Sequence, residues 1–314
     1  MLRVTADIFS GRPNPTWDIQ DEAEARAVLK DIASNRRIAT EVGGAAESSL
    51  GLGFRGLIVE PMADDLGKDF GLEGGYRVSP SQVGGDSKGS ELIEKLIDLA
   101  GKSPSVEGLE DAEDQGASLR ELLRDQLDKG SRTTVPDQRG DQGNRGTASH
   151  HEGTEEAAPE ITCYIEKSPY NPGFWNNDST TLRNNNCYNY ASNKKTNTFA
   201  QPGRGAGSMY TALTCPEVTR ASLADGLHHR YNCFPDSQKP RYLVALVIAP
   251  GPSFKDFHWY RLNSENFWSH KPGGTPARNV DNSNKVITNP ETCNRGPYTN
   301  FCGYFYTCKS QKIK

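Results

Sequence analysis

The chain opens on VTADIF, whose alternation suits a strand, and SGRPNPTW after it predicts a turn built on Gly11, Pro13, Asn14 and Pro15. From Asp21 to Ile32 the apolar period becomes helical, with Ala25, Val28, Leu29 and Ile32 on or near one face. Phe54–Val59 reads as a second strand, closed by Pro61. Ser90–Leu99 places Leu92, Ile93, Leu96, Ile97 and Leu99 on an amphipathic helix with Ser90 at its N-cap. Together these predict a small α/β domain over residues 1–102.

The pattern then fades. Residues 103–158 hold no aromatic side chain and include the acidic run EGLEDAEDQG. So little apolar surface does not offset the entropy of ordering a chain. The expectation is an acidic, low-complexity, disordered linker with one isolated helix over Ser118–Leu127. The pair His150–His151 within it reads as inert.

From Ile161 the chain turns aromatic and Asn-rich. Ile161–Glu166 reads as a short strand, Cys187 opens a helix, and Val218–Leu227 forms another whose dipole His228 and His229 would complement at its end. Arg241–Ala249, Phe257–Leu262 and Phe267–His270 read as successive strands, the last two joined by the loop Asn263–Asn266. The closing TNFCGYFYTC predicts a final strand. The expected fold class is α+β, with residues 159–314 as a second domain in which a Cys-bearing helix packs on an antiparallel sheet.

Composition narrows the function classes. No run among the 314 residues approaches 18 apolar positions, and the longest, Tyr242–Pro250, is strand-sized, so no membrane span is expected. Asp7 falls where a secretory leader would still be apolar, so none is expected and a cytoplasmic setting is the default. Charge is divided: residues 1–160 carry 18 Lys+Arg against 31 Asp+Glu, and residues 161–314 carry 18 against 9. The basic half suits an anionic substrate, or simply docks on its acidic neighbour. No nucleic-acid partner, metal or cofactor is expected.

All seven cysteines lie after residue 160, and none forms a CxxC pair. Cys163, Cys215, Cys233, Cys293, Cys302 and Cys308 are expected to supply whatever disulfides exist, with a partnership among Cys293, Cys302 and Cys308, leaving Cys187 free. Such a framework suits an oxidising compartment, in tension with the missing leader.

Thiol chemistry needs a thiolate, a base and donors for an oxyanion. Cys187 follows Asn184, Asn185 and Asn186, residues suited to cap the helix whose dipole would favour the thiolate. His258, in KDFHWYR, is the candidate base. His270, in FWSHKPGG, lies across the hairpin from it as the orienting group, with Asp281 and Asn282 as rivals for that place. Asn186, Trp259, Asp281 and Asn282 are the candidate oxyanion or substrate contacts. Each has a plainer reading: Cys187 as a buried apolar residue or a disulfide partner, His258 as a satisfied core histidine, His270 as a loop cap.

On these residues the second half resembles the papain-like fold in its NlpC-type peptidase branch, with the order Cys187, His258, His270. It also resembles a group of bacterial-type proteins carrying NNNCYNYA, FHWYR and WSHKPGGTP segments. The resemblance covers roughly residues 161–308, and the Asn run stands where that branch has an Asp- and Tyr-containing motif. It implies a thiol hydrolase or acyltransferase acting on an amide bond of a peptide or related substrate. The alternative is a non-enzymatic, disulfide-stapled, extracellular binding module, aromatic-rich as carbohydrate binders are.

Overall fold

The computed structural model describes residues 1–43, 47, 50–80, 86–103, 106–107, 115–132, 165–229 and 235–314. They form an α+β protein with two antiparallel sheets. The first holds β1 (Leu2–Asp7), β2 (Thr16–Ile19), β3 (Thr40–Glu41), β4 (Gly56–Pro61), β5 (Tyr76–Val78) and β6 (Val106–Glu107), in the order β3-β5-β4-β1-β2-β6. Along β1, Leu2, Val4 and Ala6 are fully buried while Arg3 and Thr5 between them are not, the two-residue period of a strand with one covered face. The cover is α1 (Glu22–Ser34) and α3 (Ser87–Ala100), whose Val28, Leu29, Leu96 and Ile97 enter the same core. Asp21 caps α1, accepting from the Glu24 N–H at 2.8 Å. The N-cap of α3 is Asp86 rather than Ser90, one turn earlier than expected. A short helix, α2 (Asp64–Lys68), lies between them in sequence.

The stretch expected to be a linker is partly built into this unit. Val106 and Glu107 pair with β2, and α4 (Gln115–Arg132) is not isolated. Its Leu119, Leu122 and Leu123 recur at helical spacing and are buried in the common core, while Arg124 reaches Glu94 and Asp98 on α3. An apolar stripe of three leucines suffices to dock a helix without any aromatic residue. His150, His151, Cys163 and Cys233 lie outside the described residues. Of the strand expected over Ile161–Glu166, only Ile165 and Glu166 are described, and neither is in a strand.

The second sheet runs β10 (Trp268–Ser269), β9 (Lys255–Leu262), β8 (Leu243–Pro250), β11 (Asn300–Tyr306) and β7 (His228–His229). The helices of this half are α5 (Gly173–Asn176), α6 (Ser179–Asn184), α7 (Cys187–Ser192) and α8 (Cys215–Ala224). His228 and His229 do not end a helix: α8 stops at Ala224, Gly226 turns the chain at φ +104°, and the two histidines pair with Tyr306 and Phe305.

The unbroken apolar run of β8 has a simple reason: both of its faces are covered. Val244, Leu246 and Ile248 pack toward α7 and α8 with Tyr188 and Val218. Ala245, Val247 and Ala249 join the core of the first sheet, together with Phe254, Tyr260 and Tyr298. One core therefore crosses from the first half of the chain into the second.

Candidate functional site

The Asn run before α7 is spent on structure. The Asn186 side-chain oxygen accepts from Tyr188 and Asn189 N–H groups at 3.0 and 3.2 Å, and Asn189 returns the bond to the Asn186 N–H at 3.1 Å, a reciprocal cap. The Asn186 carboxamide nitrogen donates to the carbonyls of Gly11 and Ala200, each at 2.7 Å. Asn185 likewise holds Thr181 and Asn197. No donor of the Asn186 side chain is left for an oxyanion. Cys187 itself is fully buried, and its thiol faces the Phe257 carbonyl at 3.9 Å. Burial pushes this thiol well above the usual range, and the neighbouring Asp256 adds to the shift.

His258 and His270 do meet, with His258 Nε2 and His270 Nδ1 2.8 Å apart. The other nitrogen of His270 lies 3.0 Å from the Val280 carbonyl, which can only accept, so His270 Nε2 carries the hydrogen. Its Nδ1 is then the acceptor for the His258 Nε2–H. That chain leaves His258 Nδ1 as a buried acceptor without a hydrogen-bond partner among the described residues. Burial holds both imidazoles neutral, lowering His258 well below the usual range and His270 to about 3.

Strand alternation separates this pair from the thiol. Phe257 and Trp259 share the helix-side core with Cys187, whereas the His258 ring turns to Tyr260, Tyr298 and His270 on the side of the other core. No hydrogen bond joins Cys187 to His258. The remaining candidates are structural in their contacts. Trp259 is buried between Tyr188 and Phe305. Asp281 accepts from the N–H groups of Ser283, Lys285 and Asn294. Asn282 clasps Leu52 of the first half, accepting from its N–H at 2.7 Å and donating to its carbonyl at 3.0 Å.

The densest chemistry is a buried polar seam between the halves that periodicity could not reveal. The Asp256 carboxylate accepts from the successive N–H groups of Ser10, Gly11 and Arg12, at 2.6, 3.2 and 3.0 Å, and from the Tyr298 hydroxyl at 2.5 Å. A β-carbon at Gly11 would meet the Phe257 ring and carbonyl at 2.5 Å, so only glycine permits this approach. The one sequence signal was an acidic residue inside an apolar strand. Nearby, Lys271 is fully buried and donates to the carbonyls of Leu182, Asn185 and Gly273 at 2.5, 2.5 and 2.7 Å, and burial lowers it to about 7. Asp7 is equally buried between Arg55 and Arg77, whose charges hold its carboxyl far below the usual range against the cost of desolvation.

Cys215 and Cys302 form a disulfide that ties α8 to β11. The expected partnership among Cys293, Cys302 and Cys308 is thereby corrected: Cys302 reaches back to the start of α8, and Cys187, Cys293 and Cys308 are free thiols. Among the described residues no group of three His, Cys, Asp or Glu side chains could hold a metal ion, and no helix is long and apolar enough to cross a membrane.

Fold and site thus define a disulfide-bonded α+β protein whose polar chemistry is concentrated in a buried seam between two sheets. The chain is 47% identical over 135 residues to insoluble matrix shell protein 1 of Ruditapes philippinarum, covering 43% of this chain and 86% of that relative, and it belongs to the same family. No family model and no solved structure matches it. A relative named for a shell matrix overturns the expectation of an enzyme, whether thiol hydrolase or acyltransferase, working through Cys187, His258 and His270. The peptidase and amidase reading is withdrawn with it.

Proposed function

We propose that this chain is a non-enzymatic, disulfide-stapled structural module of an extracellular matrix. The observation that carries this reading is its 47% identity to a protein named as an insoluble shell-matrix component. The Cys215–Cys302 bond supports it, because such bonds persist in oxidising compartments. The raised, buried Cys187 thiol supports it from the chemical side, since the thiolate is the nucleophile. In this reading the papain-like order of Cys187, His258 and His270 is a layout used for packing: a helix on a sheet, with the histidines as a hydrogen-bonded core pair.

Two measurements test the proposal. In native protein at pH 7, iodoacetamide should modify Cys187 far more slowly than a model thiol of pKa about 8.5, and unfolding should abolish the protection. In the source tissue, antibody to the chain should mark extracellular material that survives detergent extraction. Fast native labelling of Cys187, or a soluble cytosolic signal, would overturn the reading.

A further inference from the structure

A cavity of about 360 Å³ opens between the outer face of the first sheet and the loops of the second half. Its floor is a row of directly paired strand residues, with Thr5 opposite Thr16 on one side and opposite Ile58 on the other. Its opposite wall carries Asn184 and Phe199, and Arg183 spans the opening to Glu60 at 2.9 Å. The size falls in the range of small-ligand sites.

The charges of this cleft are matched. Asp7 is held by Arg55 and Arg77, and Glu60 by Arg183, so the lining selects neither an anion nor a cation. Beyond these charges the lining offers Thr5, Asn184 and Thr16, whose hydroxyl also reaches Glu107 at 3.5 Å, beside an apolar surface of Val42, Ile58 and Phe199. That set suits a neutral molecule with hydroxyls around its rim and an apolar C–H face.

Phe199 supplies the second observation. Its φ is +48°, a left-handed conformation that costs a bulky L-residue roughly 1–2 kcal/mol and that glycine or asparagine adopts readily. The conformation is imposed by the Asn network: the Phe199 N–H donates to the Asn184 carbonyl at 2.8 Å, and the Ala200 N–H to Asn189 at 3.0 Å. A half-buried aromatic ring kept at such a position, lining a cleft of mixed polar and apolar surface, is strain of the kind that collects at ligand sites.

We infer that this cleft is a binding site for a neutral saccharide, with the sugar's C–H face on Phe199 and its hydroxyls on Thr5, Thr16 and Asn184. This goes beyond the matrix role and does not depend on it. The site can fail while extracellular localisation holds, and can bind sugar whatever the compartment.

The test is titration of the full chain with cellotriose, maltotriose and N-acetylated chitotriose, beside a sulfated trisaccharide, followed by calorimetry and ligand-observed NMR. At least one neutral oligosaccharide should bind, and Phe199→Ala should weaken it about tenfold, the scale of a lost aromatic contact. Phe199→Gly should lose binding to the same degree while melting no lower than the wild type, because glycine relieves the positive φ. Thr5→Val should also weaken binding without unfolding the protein. Absence of any neutral-sugar binding at millimolar concentration, preference for the sulfated sugar, or binding unchanged in Phe199→Ala would overturn the inference. A Phe199→Gly protein that melts well below the wild type would place the ring in packing and overturn it as well.

Discussion

His258 and His270 are held neutral inside the protein, and that makes them acid-sensitive. An unfolded histidine takes its proton near pH 6.5, whereas folded His270 does so at about 3 and folded His258 well below 6.5. Between those values the unfolded state binds more protons, so stability rises with pH there, is complete above about 6.5, and is lost as the pH falls. Each imidazole contributes about 1.4 kcal/mol per pH unit within that window. Asp256 acts in the opposite sense, because burial raises its carboxyl and the folded state keeps that proton longer. Urea unfolding at pH 7 and pH 5 should show a marked loss at the lower value, and His270→Gln should flatten the dependence. A flat profile in the wild type would show that the pair is not held neutral.

At the scale of elements, the Cys215–Cys302 bond closes a span of 87 residues between the start of α8 and β11. Cross-links of that span are expected to stabilise by about 2–4 kcal/mol, chiefly by restricting the unfolded chain. Replacing both cysteines with serine should lower the denaturation midpoint accordingly and leave the circular-dichroism spectrum unchanged. An unshifted midpoint would mean the helix and strand are held by packing alone. Elements with a strong local period were legible before the structure: α1, α3, β1, β4 and the β8–β9–β10 run all lie within a few residues of their expected positions. The capped helix opening at Cys187 was legible from the Asn run, and His270 was placed across the hairpin from His258, although the register sets it in line with Tyr260 and the two imidazoles meet on the diagonal. Short strands such as β2, β5 and β7 were not, since two to four residues give no period to read and their pairing partners are distant. The same limit hid the parity of β9. A one-residue difference in which side chains face α7 separates a thiol–imidazole pair from a Phe–Trp wall, and helix order alone does not specify it.

Apolar burial and a desolvated carboxylate clasp join the halves of the molecule, with the partly exposed Arg183–Glu60 pair at the surface between them. Cutting the chain at a protease site inserted near residue 145, outside the described residues, should therefore leave two pieces that co-elute. They should stay together in 1 M salt, where the Debye length is about 3 Å, and part only in denaturant. Pieces that separate on raising the salt would assign the joint to surface charge after all. Two fragments that each remained folded when parted would show that the shared core is dispensable.

The clasp at Ser10–Arg12 also has a consequence for the order in which the chain can be completed. The carboxylate that holds this turn is 246 positions further on, and the hydroxyl that completes its shell belongs to Tyr298. During synthesis the turn leaves the ribosome well before the residues that satisfy it. Its N–H groups must wait for another 246 residues to be made before they meet this acceptor. A chain cut short before residue 256 therefore leaves the Ser10, Gly11 and Arg12 N–H groups without their carboxylate acceptor.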